Sequence, residues 1–387
     1  MHSRFAPSCS LAFALIVAAL PAFALDELDF SSARDKSMGG IHVALADDSS
    51  VLLSNPAGLA DLPASYSVAD LGLQAIGPVF DIANLIVKGD TSPTAIFGFL
   101  KDNDFKLYTG AEITGPLATG FTGNGLGFGL FNKTSCIIDA ASIDSISITA
   151  TEDILLTGGY AVRFDLGGGH ELAAGIAAKG YVIGSVAPTM GIVEAENVFS
   201  NPMSLLSNSA FDLTTGIGAD LGLRWAWQNT LAAGLAYRDL YSPAIVTTYS
   251  SIQGFLGNSA SAKTGDPTSE TLPSKLDAGF SWTPELGGLL SKVMDSFVLC
   301  LDYKDILDLF SVVPRNPILN VGLGLETRVL DIIRIRAGIA DALLSAGMGI
   351  DLGACTVNLA VFGTELGLDP GDRTCYNLLL DFSFKIH

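Results

Sequence analysis

Residues 376–386 read YNLLLDFSFKI and end one position before the last residue of the sequence. The even-numbered positions, from Tyr376 to Ile386, are all large and apolar, whereas most of the odd-numbered positions are polar. This period of two gives a β-strand one apolar face and one polar face. The same alternation recurs from about residue 105 onward. Repeated strands of this kind are typical of a transmembrane β-barrel.

The clearest of the other strands runs from Leu213 to Trp227, with apolar residues at nearly every odd position and Asp220 and Arg224 on the opposite face. The hydrophobic content of the chain is 49%, but no segment after residue 24 offers the roughly 20 unbroken apolar residues that a membrane helix needs. The pattern predicts an all-β fold, a transmembrane antiparallel β-barrel of 14 or 16 strands, since 15 strands are counted and the number is usually even. Four of these strands are expected near 105–116, 117–132, 134–150 and 153–166.

The first 24 residues contain the three parts of a secretory signal peptide in their usual order. Arg4 precedes the apolar run 11–20, and Ala22-Phe23-Ala24 provides small residues for cleavage. Cys9 lies before the apolar run, which disfavours a lipoprotein. Removing residues 1–24 leaves 21 − 1 = 20 basic and 40 acidic side chains, a net charge of −20. We therefore expect an exported protein of the cell outer membrane that does not bind nucleic acid, since phosphate binding needs a basic surface.

Two regions depart from the strand pattern. Residues 25–64 are rich in small residues and irregular, and one strand is predicted at 65–76. Residues 79–102 suit two short helices, the second with Ser92 as N-cap and Pro93 in the first turn. We expect these helices inside the barrel or at its periplasmic mouth. The polar stretches 187–210 and 249–272 are expected to be extracellular loops.

The sequence contains no arrangement that predicts catalysis, a metal or a cofactor. Only His42, His170 and His387 follow the signal peptide, without metal-ligand spacing and without a GxSxG motif. A lipid-cleaving barrel enzyme using His42 or His170 is the less favoured alternative. Cys355 and Cys375 could pair in an oxidising compartment, but the four cysteines after residue 24 allow three connectivities.

The polar strand faces carry arginines that alternation directs into the lumen. Two explanations are open: an ion-pair network that fills the lumen, or binding of a ligand carboxylate by one or two guanidinium groups. The candidates for ligand binding are Arg224, Arg238, Arg334 and Arg336.

Two N-terminal motifs carry a resemblance to a known family. The run 33–48, ARDKSMGGIHVALADD, and the later Asn55-Pro56-Ala57-Gly58-Leu59 resemble the N-terminal signature of the FadL-type long-chain fatty acid transporters and their PorV-like relatives. The segments TGPL at 114–117, GLGFGLFN at 125–132 and LDYKD at 301–305, with RAG at 336–338, resemble a spirochaetal branch of that superfamily.

The resemblance implies a 14-stranded barrel, residues 65–387 with the helical insertion at about 79–102, whose lumen is plugged by a hatch at residues 25–64. It also implies passive transport of hydrophobic molecules, such as long-chain fatty acids. The alternative, taken from the PorV-like relatives, is a barrel that acts as a scaffold or secretion partner through its extracellular loops. Expected partners are membrane lipid, the barrel-assembly machinery and periplasmic chaperones. The hatch positions are Met38, Gly39, Gly40, Asn55, Pro56 and Ala57.

Overall fold

The alternating segments form one closed antiparallel sheet. The computed structural model describes residues 25, 27–40, 42–88, 92–142, 145–257, 262–288 and 294–386. Within these ranges, 18 strand segments form 14 wall strands, as the sequence predicts. The predicted signal peptide, residues 1–24, lies outside the described residues.

The wall strands are numbered here in chain order, and a wall strand that is interrupted counts once. They are β1 (Ser65–Ile76), β2 (Leu107–Thr114 and Thr119–Gly123), β3 (Leu126–Ser142), β4 (Ser145–Gly167), β5 (His170–Val186 and Thr189–Met190), β6 (Phe211–Trp227), β7 (Leu231–Tyr241 and Pro243–Tyr249), β8 (Thr268–Thr271 and Lys275–Trp282), β9 (Ser296–Tyr303), β10 (Val321–Val329), β11 (Ile333–Ala340), β12 (Leu343–Asp351), β13 (Cys355–Glu365) and β14 (Thr374–Ile386).

Strand β1 closes the barrel. On one side Leu73 faces Leu380 of β14, and on the other side it faces Ile113 of β2. Every backbone group in the wall can therefore pair with a neighbouring strand, which is what a sheet in hydrocarbon requires.

The predicted boundaries in the first part of the wall were wrong. Residues 105–166 form three wall strands and not four, because the chain turns at Asn124-Gly125, where both residues have positive φ. Asn-Gly is a strong signal for a tight hairpin turn. Strand β2 is interrupted at residues 115–118, and its two parts both pair with β3.

The wall has an apolar outside and a polar inside. Along β6, Leu221 and Leu223 are exposed, whereas Asp220, next to Leu221, is buried. On the outer face near one rim, His170 stacks on Trp225 and Trp227 with ring centroids 5.6 and 6.0 Å apart. An outward apolar band with aromatic residues at its edge is typical of a barrel surrounded by lipid.

The two ends of the barrel differ. The end at which β1 begins and β14 finishes, called here the terminus end, has mostly short turns, such as 124–125, 168–169 and 352–354. The opposite end, called the loop end, carries the longer connections, including 77–106 and 191–210. The predicted loops 187–210 and 249–272 both lie at the loop end and contain short helices.

The helices are short. The N-terminal segment contains α1 (Ala33–Ser37), α2 (Val51–Ser54) and a 3-10 helix (Pro56–Ala60), and the loop end carries α3 (Val79–Val87), α4 (Pro93–Asp102), α5 (Ile192–Ser200), α6 (Met203–Asn208) and α7 (Ile252–Leu256). Two further 3-10 helices, Ile306–Phe310 and Pro317–Asn320, lie between β9 and β10. No helix in the described part of the chain is long and apolar enough to cross a membrane.

The loop-end helices pack on the outside of the barrel and not in its interior, which was one of the two expected places. Ile82 of α3 and Leu100 of α4 belong to an apolar cluster with Ile138 and Ile148. Ile138 of β3 faces Ile148 of β4. Ile148 lies on the same outward face of β4 as the exposed Leu156. The long strands therefore continue beyond the lipid-facing band, and their outer face is covered by helices.

The cysteines after residue 24 are all free. Cys355 faces Phe384 near the terminus end, whereas Cys375 faces Thr364 near the loop end. The possible pairing of these two residues is excluded, because a disulfide needs Cα atoms within about 7 Å of each other.

Candidate functional site

The N-terminal segment, residues 25–64, runs along the inner face of the wall. Its first helix, α1, begins with a capping box in which Ser32 and Asp35 each accept a hydrogen bond from the other's backbone N–H. The Ala33 N–H donates to Asp381 of β14 at 2.7 Å. The segment is thus joined to the wall where its first helix begins.

Met38, Gly39 and Gly40 follow α1 and press directly against the wall. A Cβ atom on Gly39 would lie 2.5 Å from the Leu323 carbonyl oxygen and 2.6 Å from that of Ile339. Gly39 also has φ +83°, a conformation that favours glycine. Only glycine at this position allows the backbone to approach β10 and β11 so closely.

Asn55 anchors the second N-terminal motif, residues 55–59. Its side-chain amide donates to the Val43 and Leu223 carbonyl oxygens at 2.8 and 3.1 Å, and its carbonyl oxygen accepts from the Ala57 N–H at 3.1 Å. Pro56 follows in the first turn of the 3-10 helix, where its missing N–H costs nothing. Asn55 therefore caps this helix and ties it to β6.

A buried ion-pair network joins the segment to β10 and β11. Arg34 donates to both carboxylate oxygens of Glu326 at 2.9 and 3.0 Å, and also pairs with Asp47 and Asp48 at 2.7 Å. Glu326 in turn accepts from Arg336 Nε at 2.6 Å. A buried charge without a partner is costly, so each member of this network holds the others in place.

The structure places all four candidate arginines on the inner face, each with a partner from this chain. Arg224 donates to the Ala44 carbonyl oxygen at 2.8 Å and pairs with Asp61, while Arg238 pairs with Asp277 and with Glu27 of the segment. These contacts fit the structural explanation of an ion-pair network. A ligand could bind Arg224 or Arg238 only if it displaced a carboxylate that is already paired with that arginine.

Arg334 differs from the other three. It pairs with Asp351 at 2.8 Å and lies 3.7 Å from Glu326, but its Nε has no hydrogen-bond partner among the described residues. Arg336, by contrast, is almost fully buried and also donates to Asn358 at 2.8 Å. Of the two, Arg334 has the more exposed side chain, although its unpaired Nε is itself buried.

Two carboxylates of the segment have pKa values below their usual range. Burial by itself raises the pKa of Glu27, but the charges of Arg238 and Lys275 outweigh burial and lower it to about 2. Burial likewise opposes ionisation of Asp29, and the charges of Lys36 and Lys133 again lower its pKa. Both carboxylates are therefore ionised at neutral pH and contribute to holding the segment.

His42 of the segment is buried against β9. Burial lowers the pKa of its imidazole, but Asp302, 3.4 Å away, and Cys300 outweigh burial and raise it to about 10. Among the described residues, no group of three His, Cys, Asp or Glu side chains is arranged to hold a metal. A charged His42 facing Asp302 is therefore best understood as another link between segment and wall.

Two cavities lie on either side of the segment. One, of about 350 Å³, reaches Asp308, Arg315 and Asp341 and is called here the loop-side cavity. The other, of about 280 Å³, reaches Asp351 and Lys385 and is called the terminus-side cavity. Both cavities are bounded by the same residues of the segment: Phe30, Ser31, Asp35, Ser50 and Leu53.

Each cavity is amphipathic. Phe30, Leu53, Phe131 and Leu379 supply apolar surface to the terminus-side cavity, and Arg334 is among its polar lining residues. Such a mixture can accommodate an apolar tail and a charged head group together.

Lys304 was not among the predicted site residues. It lines the loop-side cavity and forms no ion pair within 4.0 Å with a described carboxylate, and burial lowers the pKa of its ammonium group. A Cβ atom on Gly40 would lie 1.9 Å from Lys304 Nζ, so this glycine provides the space for the lysine. The sequence showed the alternation that turns Asp302 inward, but not that Lys304, two residues later, forms no ion pair with a described carboxylate.

The fold is a closed antiparallel β-barrel of 14 strands, and several solved structures are similar to it. The toluene transporter TbuX of Ralstonia pickettii has a TM-score of 0.49 and 12% identity, over 92% of this chain and 98% of that chain. The CymD monoaromatic hydrocarbon channel has a TM-score of 0.48 and 15% identity, over 92% and 96%. A Pseudomonas aeruginosa FadL homologue has a TM-score of 0.43 and 12% identity, over 92% and 98%. No family model and no curated protein matches the chain.

Proposed function

We propose that this protein is an outer-membrane channel whose N-terminal segment is a plug that gates the passage of small amphiphilic molecules, such as long-chain fatty acids. One observation carries the proposal: the loop-side and terminus-side cavities share a single layer of lining residues, 30–31, 35, 50 and 53. A shift of that layer would join the cavities into a path along the barrel axis. Location in the outer membrane, after export by the signal peptide, is part of the proposal.

The chemistry of the lining supports an amphiphile as the cargo. Arg334 lines the terminus-side cavity with a partly exposed side chain, and Lys304 forms no ion pair with a described carboxylate in the loop-side cavity. Each side of the plug thus offers a cation for a carboxylate, beside apolar surface for a tail. Burial of each methylene group contributes about 0.8 kcal/mol, so binding of such a cargo requires no catalytic step.

The cavity volumes support a plug that moves. Pockets that enclose a drug-sized ligand usually measure about 300–1,000 Å³. The two cavities, of about 350 and 280 Å³, are at the lower limit of that range. A long acyl chain would therefore need both cavities, and hence displacement of the layer between them.

Deletion of residues 25–60 tests the plug directly. The strand pairings of the wall run from β1 through β14 and back to β1 without the segment, so the deletion variant is expected to remain a folded barrel. In liposome swelling assays, the variant should admit small solutes faster than the full chain. Equal rates for the two proteins, with folding of both verified by heat-modifiable migration on gels, would contradict the plug.

A second candidate function, a scaffold or secretion partner, is supported by a different surface. The loop-end helices expose Phe80, Val87, Met203 and Leu256 on the side away from the barrel. Apolar side chains of this size on an exterior surface are typical of protein contacts. Fatty acid uptake by the purified barrel in liposomes would favour the channel, whereas no uptake, together with a complex that Val87→Ser and Met203→Ser disrupt, would favour the scaffold.

A further inference from the structure

The connection between β9 and β10 ends in an apolar tip at the loop end. Its side chains Leu309, Phe310, Val312 and Val313 are 42%, 82%, 99% and 64% exposed. None of them lines either cavity. Four exposed apolar residues within five positions are unusual on a surface that faces only water.

Polar contacts at the base hold this tip away from the rest of the protein. The Asp308 carboxylate accepts from the Ser311 hydroxyl at 3.1 Å and from the Arg315 N–H at 2.9 Å. The Arg315 guanidinium donates to the Glu365 carbonyl oxygen at 2.6 Å and pairs with Asp341 at 3.3 Å. Because the base is fixed, the apolar side chains cannot fold back onto the wall.

The wall strands on this side are short. Strands β9 to β12 contain 8, 9, 8 and 9 residues, whereas β4 contains 23. A membrane-spanning strand needs about 9–11 residues, and the lipid-facing band of a barrel is about 25 Å tall. At about 3.3 Å per residue and a tilt of about 45°, eight residues span only about 19 Å.

The tip continues the outward face of these strands. Leu301 of β9 and Leu323 of β10 face each other near the loop end and are both exposed on the outside. The connection starts two residues after Leu301 and returns to the wall two residues before Leu323. It therefore leaves and rejoins the wall where the apolar band ends.

We propose that the tip, residues 309–313, inserts into the outer leaflet of the membrane and completes the lipid-facing band above β9–β12. Lipid fits this surface because its one hydroxyl, on Ser311, is already bonded to Asp308. The tip thus offers apolar contact without an unused hydrogen-bonding side chain. This assignment does not depend on what passes through the barrel.

A polarity-sensitive fluorophore on Val312→Cys tests the proposal. The background carries Cys136→Ser and Cys355→Ser, because the other two cysteines are buried. The protein is reconstituted in phosphatidylcholine vesicles that contain nitroxide-labelled lipid. Pro370→Cys, at an exposed position of the neighbouring connection 366–373, is the matched control.

The label at position 312 should emit at shorter wavelength and be quenched several-fold more by the nitroxide lipid than the label at position 370. Iodide in the water should quench the label at position 370 more strongly than the label at position 312. Phe310→Cys provides a second tip position if the first variant does not fold. Labels at both tip positions that iodide quenches as strongly as the control, with no quenching by nitroxide lipid, would overturn the proposal and leave the tip free for a protein.

Discussion

Arg34 of the N-terminal segment and Glu326 of β10 form a two-point ion pair inside the barrel, with N–O distances of 2.9 and 3.0 Å. The two residues are 292 positions apart in the sequence. Arg336 shares the same carboxylate at 2.6 Å. Any movement of the segment away from β10 must therefore separate or exchange a buried charge pair.

Arg34→Gln should destabilise the protein by about 3–5 kcal/mol, because removal of one member of a buried pair leaves the other charge without its partner. Protease cleavage within residues 25–64 should become faster for the same reason. Arg163→Gln is the control, since Arg163 pairs with Asp61 and Glu171 at an exposed position and should change stability by about 0–1 kcal/mol. Equal effects in urea unfolding would show that the Arg34 network does not hold the segment.

Gly222→Ala should displace the segment from β6. An added Cβ atom would lie 2.0 Å from the Asn55 side-chain oxygen and 2.8 Å from the Ala57 nitrogen. Overpacking of this kind usually costs about 1–3 kcal/mol. Gly180→Ala adds the same methyl group where no atom lies within 4 Å, and it should leave cleavage of the segment unchanged. Indistinguishable cleavage rates for the two variants would argue against close contact at Gly222.

The lipid-facing side of the wall is tested by Leu221→Arg and Phe382→Arg. An arginine there should cost about 2–4 kcal/mol if these side chains face the middle of the bilayer. Gln74→Arg is the control, because Gln74 lies on the inner face opposite Glu112. Folding into lipid vesicles, followed by gel migration, measures the yield of each variant. Normal insertion of both outward variants would contradict this orientation of the barrel.

The orientation of individual side chains could be predicted from the sequence, because a strict period of two leaves little choice of face. Alternation placed Arg224, Arg238, Arg334 and Arg336 on the inner face, where the structure has them. The partners of these arginines could not be predicted. Glu326 and Arg34 meet only because the chain returns across the lumen, and alternation along one strand carries no information on such distant contacts.

The errors have physical causes as well. Alternation does not stop where the membrane stops, so the upper parts of β3 and β4 read like membrane strands although helices cover them. The turn at Asn124-Gly125 could have been predicted, since the apolar positions change there from odd, as at Phe121, to even, as at Phe128. The positions of α3 and α4 on the outer face depend on the apolar cluster around Ile138 and Ile148, whose members come from distant parts of the sequence.

Acidification should loosen the segment through Glu27. Its pKa is lowered to about 2 in the folded protein from an ordinary value of 4.5, because Arg238 and Lys275 favour the carboxylate. The stabilisation that Glu27 provides is therefore complete above about pH 5 and is lost as the pH falls toward about 2. Protease cleavage of the segment should rise across that interval. Glu27→Gln should already be cleaved faster at neutral pH and lack this part of the rise, and identical pH profiles would assign the change to other groups.

The last prediction concerns the cargo. Arg334 lines the terminus-side cavity with a side chain that is 24% exposed, so we expect it to pair with a carboxylate that enters this cavity. A carboxylate in a largely apolar site must be paired, because an unpaired buried charge costs several kcal/mol. Arg334→Met keeps most of the side-chain volume and removes the charge. It should weaken binding of a fluorescent long-chain fatty acid by about tenfold or more, whereas binding of the uncharged methyl ester should hardly change.

Gln74→Arg serves again as a control, since it alters lumen charge outside the residues that line this cavity. If Arg334→Met weakens the acid and the ester equally, Arg334 supports the shape of the cavity through Asp351 and does not recognise the head group. If the intact protein binds neither molecule while its barrel is folded, the channel proposal fails for fatty acids. The exposed faces of the loop-end helices would then favour the scaffold.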